Sequence, residues 1–202
     1  MPSVYDLKPA FQAMLRPAVK KLAAKGVTPN QVTLVALGIS WLIGGVVAFA
    51  PDSPRVLLLV PGWMFLRMAM NAIDGMLARE HDMRTPLGGM LNELTDVLAD
   101  AGLMLPFALI EGVPGALVVI FVVLAAVTEL AGVVAQTLGA SRRYDGPMGK
   151  SDRAAVFGIL ALVLGFGVQT GPWTLWLFVA LVALVAGTVV NRCRRALQEL
   201  DA

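Results

Sequence analysis

The sequence has little of what a water-soluble protein needs. Of its 202 residues, 15% are charged, against roughly 25% in soluble domains. One cysteine, Cys193, excludes an intramolecular disulfide and a cysteine-built metal centre. One histidine, His81, leaves zinc without its usual ligands. Aromatic residues make up 7%. A formal net charge of +2 is too small to imply a nucleic-acid partner. What is abundant is apolar: 57% of residues are hydrophobic. That balance identifies a multi-pass membrane protein. The long apolar stretches begin near Gln31, after a basic segment, so no cleaved signal peptide is expected.

A helix needs about 20 apolar residues to cross the hydrocarbon core. Six stretches qualify, at about 31–50, 55–78, 86–110, 114–138, 154–170 and 173–191. PDSP at 51–54, EGVPG at 111–115 and TGP at 170–172 separate them. The spans are predicted to be helical, because an open strand cannot satisfy its backbone in lipid. The fold class is all-α. Residues 1–30 form a basic juxtamembrane segment, 31–191 the transmembrane domain and 192–202 a tail.

Lys and Arg set the orientation. Lys8, Arg16, Lys20, Lys21 and Lys25 precede the first span. Arg79 and Arg84 lie between the second and third, and Arg142, Arg143, Lys150 and Arg153 between the fourth and fifth. Arg192, Arg194 and Arg195 follow the sixth. The opposite connections hold only Arg55. Both termini are therefore placed in the cytoplasm, with the chain in the cytoplasmic membrane. Val4, Leu7, Phe11, Met14, Leu15, Ala18 and Leu22 recur at helical spacing among basic residues, which predicts an amphipathic helix on the inner leaflet, broken at Pro17.

The costly residues concentrate in NAIDGMLAREHDMRTPLGGMLNELTD, residues 71–96. Asn71, Asp74 and Ala78 share one stripe of the second span; Asn92, Asp96 and Asp100 share one stripe of the third. The connection is short, so the helices are antiparallel neighbours and the two stripes meet just inside the membrane surface. A charged group there costs about 2.5–3.5 kcal/mol on insertion scales. Facing carboxylates and amides make a site for a hard cation, Mg²⁺ or Mn²⁺, with a phosphate completing its shell. Gly75, Ala78, Gly88 and Gly89 remove bulk beside the acids. The alternative is a structural polar network that glues the two helices.

Elsewhere in the spans, Arg67 is expected to pair with Asp100 or Glu129, and Trp63, Trp173 and Trp176 to serve as belt aromatics. Gly146-Pro147 and Gly149 make the fourth connection a turn. Its cations, Arg142, Arg143, Lys150 and Arg153, are candidates for gripping an anionic or hydroxylated ligand, or are simply the basic loop that orientation demands. A small transporter that uses Asp74, Asp96, Arg67 and Glu129 as a pathway is another reading of the buried charge.

The stretch reads N-x2-D-G-x2-A-R-x8-G-x3-N-x3-D. It resembles the signature of the CDP-alcohol phosphatidyltransferase family, D-x2-D-G-x2-A-R-x8-G-x3-D-x3-D. Asp74, Gly75, Ala78, Arg79, Gly88 and Asp96 match in type and spacing, and Thr28-Pro29-Asn30 resembles the approach to the family's first span. The resemblance implies six membrane helices behind a surface helix, a homodimer, and an enzyme. That enzyme would transfer a phosphatidyl group from CDP-diacylglycerol to a small polar alcohol and release CMP. Glycerol 3-phosphate, glycerol or another polyol, inositol phosphate included, would accept it.

The resemblance further implies Asn71, Asp74, Asn92 and Asp96 as metal ligands, Asp96 as base, and Arg79 on phosphate or ribose. Gly75, Ala78, Gly88 and Thr33 would line the nucleotide pocket, and the four cations of the fourth connection would bind the acceptor. Two positions depart from the family: Asn71 and Asn92 stand where it has Asp. Two negative charges are lost, which lowers metal affinity or leaves one tight ion with a second delivered with the substrate, unless Glu93 or Asp100 compensates. An inactive CDP-lipid-binding homologue is the other outcome of that departure.

Overall fold

The computed structural model describes the backbone of residues 4–201 and the side chains of residues 9–201. Val4, Leu7 and Lys8 thus lie outside the described side chains. Among the described residues seven α-helices follow one another: α1 (Val4–Ala24), α2 (Pro29–Phe49), α3 (Leu59–Glu80), α4 (Pro86–Met104), α5 (Gly115–Thr137), α6 (Lys150–Gly165) and α7 (Pro172–Leu200). Short 3₁₀ turns at Pro54–Leu58 and Leu105–Leu109 precede α3 and follow α4. No strand occurs among the described residues.

Local chemistry sets the boundaries. Gly26 takes φ 73° after α1, and the amides of Gly26 and Val27 turn back to the carbonyls of Ala23 and Leu22, closing the helix in a Schellman motif. Pro29 then sits at the first position of α2, where a missing N–H costs nothing. Thr28 and Gln31 cap that end reciprocally: the Gln31 amide donates to Thr28 Oγ1, and the Thr28 amide to Gln31 Oε1.

The expected break at Pro17 is corrected: α1 runs through it, as through Pro9. Pro17 and Ala13, one turn earlier, are both exposed. The carbonyl that proline leaves without a donor is therefore on the outer face, where the surroundings can satisfy it.

Among the described residues four stretches are long and apolar enough to cross a membrane: Pro29–Phe49, Pro54–Glu80, Gly115–Thr137 and Pro172–Leu200. In each, 28% of the most apolar window is buried inside the protein, so most of that surface needs an apolar exterior. Two of the six expected spans do not meet the same standard. Helix α4 carries Glu93, Asp96 and Asp100 within 19 residues. Helix α6 has 16 residues, about 24 Å of rise against a core of about 30 Å. At the other end α7 continues through Arg192, Arg194 and Arg195 to Leu200, so most of the expected tail is helix.

The chain forms two compact units. The first comprises the residues up to Trp41 with Gly62–Ala99. Its core joins Val19 of α1, Val32 of α2 and Met76 and Leu77 of α3, with Leu15, Leu22, Val27, Met70 and Ile73 packed against them. The guanidinium of Arg16 donates to both carboxylate oxygens of Glu80 at 3.1 and 3.0 Å, fastening α1 to the end of α3. Trp63 is buried rather than in a belt, and its indole N–H donates to Ser40 at 2.9 Å. Trp173 and Trp176 are exposed.

The second unit comprises Leu42–Pro61 and the residues from Asp100 onward. Phe107, Phe121, Phe157 and Phe178 are fully buried there. Phe157 is the hub, with ring centroids 5.1, 5.3 and 6.0 Å from the other three.

Candidate active site

The first unit holds a cavity of about 430 Å³. It is lined by Pro29, Asn30 and Thr33 of α2, Asn71, Asp74, Gly75, Ala78 and Arg79 of α3, the loop residues Met83, Arg84 and Thr85, and Gly88, Gly89 and Asn92 of α4. Apart from Asp96, every residue expected to hold metal or nucleotide is on this wall. The residues that sequence reasoning left out are Met83, Arg84 and Thr85. By sequence Arg84 is only a marker of orientation.

Each wall has a local cause. Asp74 is 5% exposed, and its Oδ2 accepts the Thr33 hydroxyl at 2.8 Å; that hydroxyl also reaches the Pro29 carbonyl. A buried carboxylate is thereby aimed by a side chain from the neighbouring helix. Gly75 leaves room for Arg79: a Cβ there would lie 3.0 Å from both terminal guanidinium nitrogens. Gly88 admits Asn30, whose Oδ1 would be 2.9 Å from an added Cβ. Thr85 caps α4 by accepting the Gly88 amide at 2.9 Å, ahead of Pro86. The first turns of α2 and α4 both border the cavity, and helix N-termini favour anions.

Asp96 stands beside this wall. Its Oδ1 accepts the Asn71 amide at 3.2 Å and the Arg67 guanidinium at 3.3 Å, and Arg67 also reaches the Asp96 backbone carbonyl. The hydrogen bonds tie α3 to α4 and keep the two stripes face to face. Asp74, Asp96, Asn71 and Asn92 together offer carboxylate and amide oxygens only, a donor set that suits Mg²⁺ or Mn²⁺. Among the described residues no group of three or more His, Cys, Asp or Glu is placed to hold a metal. The set fits a divalent ion only if the amides contribute.

The cations of the fourth connection belong to the second unit. Arg153 is 1% exposed and donates to Glu129 at 2.9 Å, Thr128 at 3.1 Å and Asp100 at 3.4 Å. Arg142 reaches the carbonyl and carboxylate of Glu129. Arg143 binds the carboxylate of Glu199. Lys150 is half-buried at the start of α6. Arg192, which the sequence offered only as a topology marker, is 1% exposed; it donates to the Thr128 and Asp145 carbonyls and pairs with Glu129. The charge at Glu129 is thus compensated by arginines from three directions.

Known proteins are similar to this chain in sequence or in fold. The inner membrane protein YnbA of Escherichia coli (strain K12) is 42% identical over 195 residues, 96% of each chain. Two crystal structures of Mycobacterium tuberculosis phosphatidylinositol phosphate synthase share the fold. The one in complex with manganese and citrate has a TM-score of 0.75 at 21% identity, covering 89% of this chain and 87% of that one. The one with CDP-DAG bound has a TM-score of 0.70 at 20% identity, covering 91% of each. The CDP-alcohol phosphatidyltransferase sequence pattern matches residues 26–191. With that match over most of the chain, and its motif residues gathered around one cavity, the protein belongs to the CDP-alcohol phosphatidyltransferase family.

Proposed function

We propose that the protein is a membrane enzyme of phospholipid synthesis that transfers the phosphatidyl group of CDP-diacylglycerol to a small polar alcohol, releasing CMP. The observation that carries this reading is the single cavity in which Asn71, Asp74, Arg79, Gly88 and Asn92 of the family motif converge. The donor's diphosphate is anionic, and the cavity presents Arg79, Arg84 and two helix N-termini to it. Its acyl chains match the apolar exterior of the helices. The chain is proposed to span the cytoplasmic membrane six times with both termini inside, and to act as a homodimer.

Asp74 and Asp96, with the side-chain oxygens of Asn71 and Asn92, are the proposed ligands of Mg²⁺ or Mn²⁺. Bound there, the ion would neutralise diphosphate charge and so ease departure of CMP. Thr33 holds Asp74 in place for that role. Gly75, Ala78 and Gly88 give the nucleotide a floor without side chains, and Arg79 holds its phosphate or ribose. Asp96 accepts the proton of the acceptor hydroxyl as its oxygen bonds to the phosphatidyl phosphorus and the bond to CMP breaks.

Arg142, Arg143, Lys150 and Arg153 are proposed to serve the acceptor, a glycerol-type polyol or its phosphate.

The test is purified protein with CDP-diacylglycerol, Mg²⁺ or Mn²⁺, and a panel of polyols, polyol phosphates and amino alcohols, read by CMP and lipid product. Metal-dependent CMP release is expected, with Asp96→Asn lower by about 10²–10⁴-fold, the worth of a general base. No CMP with any acceptor would instead identify a CDP-lipid-binding homologue, and near wild-type turnover in Asp96→Asn would remove the base assignment.

A further inference from the structure

At position 71 this chain has an amide where the family signature has a carboxylate, and the structure shows what the amide does. Its N–H donates to Asp96 Oδ1 at 3.2 Å. The Arg67 guanidinium, 7% exposed, donates to that same oxygen at 3.3 Å. The direction of the first bond is fixed by its partner, because an ionised carboxylate offers only acceptors.

Two carboxylates at this separation would not both stay ionised without a cation or a shared proton between them. Asn71 needs neither. It presents a polar hydrogen to Asp96 where a carboxylate would require an ion. That hydrogen repels a cation from the gap between positions 71 and 96, and Arg67 supplies positive charge from the protein itself.

The geometry points to a one-ion site in which Asn71 is a positioning residue, its amide N–H holding the Asp96 carboxylate in place of a second divalent cation. The single ion then lies on the Asp74 and Asn92 side of the cavity, and Asn71 serves Asp96 instead of the ion, which narrows the ligand set proposed above. The inference rests on the metal-dependent transfer proposed above.

The test counts ions rather than turnovers. The full-length protein in lipid nanodiscs containing CDP-diacylglycerol is dialysed against Mn²⁺, and bound metal is measured per chain. One Mn²⁺ is expected for the wild type and two for Asn71→Asp, whose CMP release should also depend more steeply on Mn²⁺. Asn71→Leu should keep one ion but lower kcat roughly tenfold to hundredfold, the worth of a hydrogen bond to a charged group, with KM for CDP-diacylglycerol little changed. Should Asn71→Asp fail to fold, the wild-type count and Asn71→Leu decide.

Two ions in the wild type would overturn this inference and leave metal-dependent transfer standing. One ion in both wild type and Asn71→Asp would show that position 71 does not set the count. Loss of the ion in Asn71→Leu, or unchanged kcat there, would overturn the positioning role. No ion and no CMP release in the wild type would sink the transfer reading and this inference with it.

Discussion

Gly75 has no side chain, and the guanidinium of Arg79 uses the space. An alanine there would meet the flexible end of Arg79 rather than backbone, so the arginine moves and the helix survives. Gly75→Ala is accordingly expected to leave thermal stability nearly unchanged while raising KM for CDP-diacylglycerol several-fold, which steady-state CMP release against donor concentration would check. Glu129 is the opposite case. Its carboxylate compensates Arg142, Arg153 and Arg192, and its removal takes a shared counter-charge from all three. Glu129→Ala is predicted to destabilise the protein by about 3–5 kcal/mol, measurable by denaturant unfolding in detergent. A merely exposed ion pair would give a far smaller loss.

In the second unit, Gly44 of α2 lies directly against the backbone of Gly102 in α4. A Cβ on Gly44 would lie 1.9 Å from the Gly102 carbonyl oxygen. Because the obstacle is backbone, one helix must shift. Gly44→Ala is expected to cost about 1–3 kcal/mol, the usual range for overpacking, and to lower the thermal midpoint in a melting assay. Capping at Thr28 is worth less: Thr28→Ala removes the Gln31 amide's acceptor and should cost about 1 kcal/mol in the same assay. These elements were readable in the sequence because proline and glycine punctuate it. Thr28-Pro29 and Thr85-Pro86 announce helix starts, and Gly26 announces an end. Pro17 misleads by the same logic, since only the folded chain shows that its turn faces outward.

For the whole molecule, the charge bias that orients the spans makes a prediction independent of chemistry. Cys193, the sole cysteine, is exposed near the end of α7. A membrane-impermeant maleimide should label it in inverted vesicles and not in intact cells. The reverse pattern would place the C-terminus outside and refute the proposed orientation. At this scale the exposed apolar faces of four long helices argue for lipid surroundings, while α4 and α6 fall short of the same length and hydropathy standard. Helix α4 spends span length on acids, and α6 is short.

The sequence by itself determined the helices, their breakpoints and the stripe that carries Asn71, Asp74, Asn92 and Asp96. Helical periodicity and turn chemistry are local, and a fixed spacing of residues on one face needs no knowledge of the rest of the chain. Only the tertiary structure decided which partner each polar group takes. Thr33 serves Asp74, Asn71 and Arg67 share one oxygen of Asp96, Arg153 and Arg192 are buried on Glu129, and Trp63 turns inward to Ser40. Those pairings join residues far apart in the chain, and burial makes each polar group find the partner that packing leaves within reach.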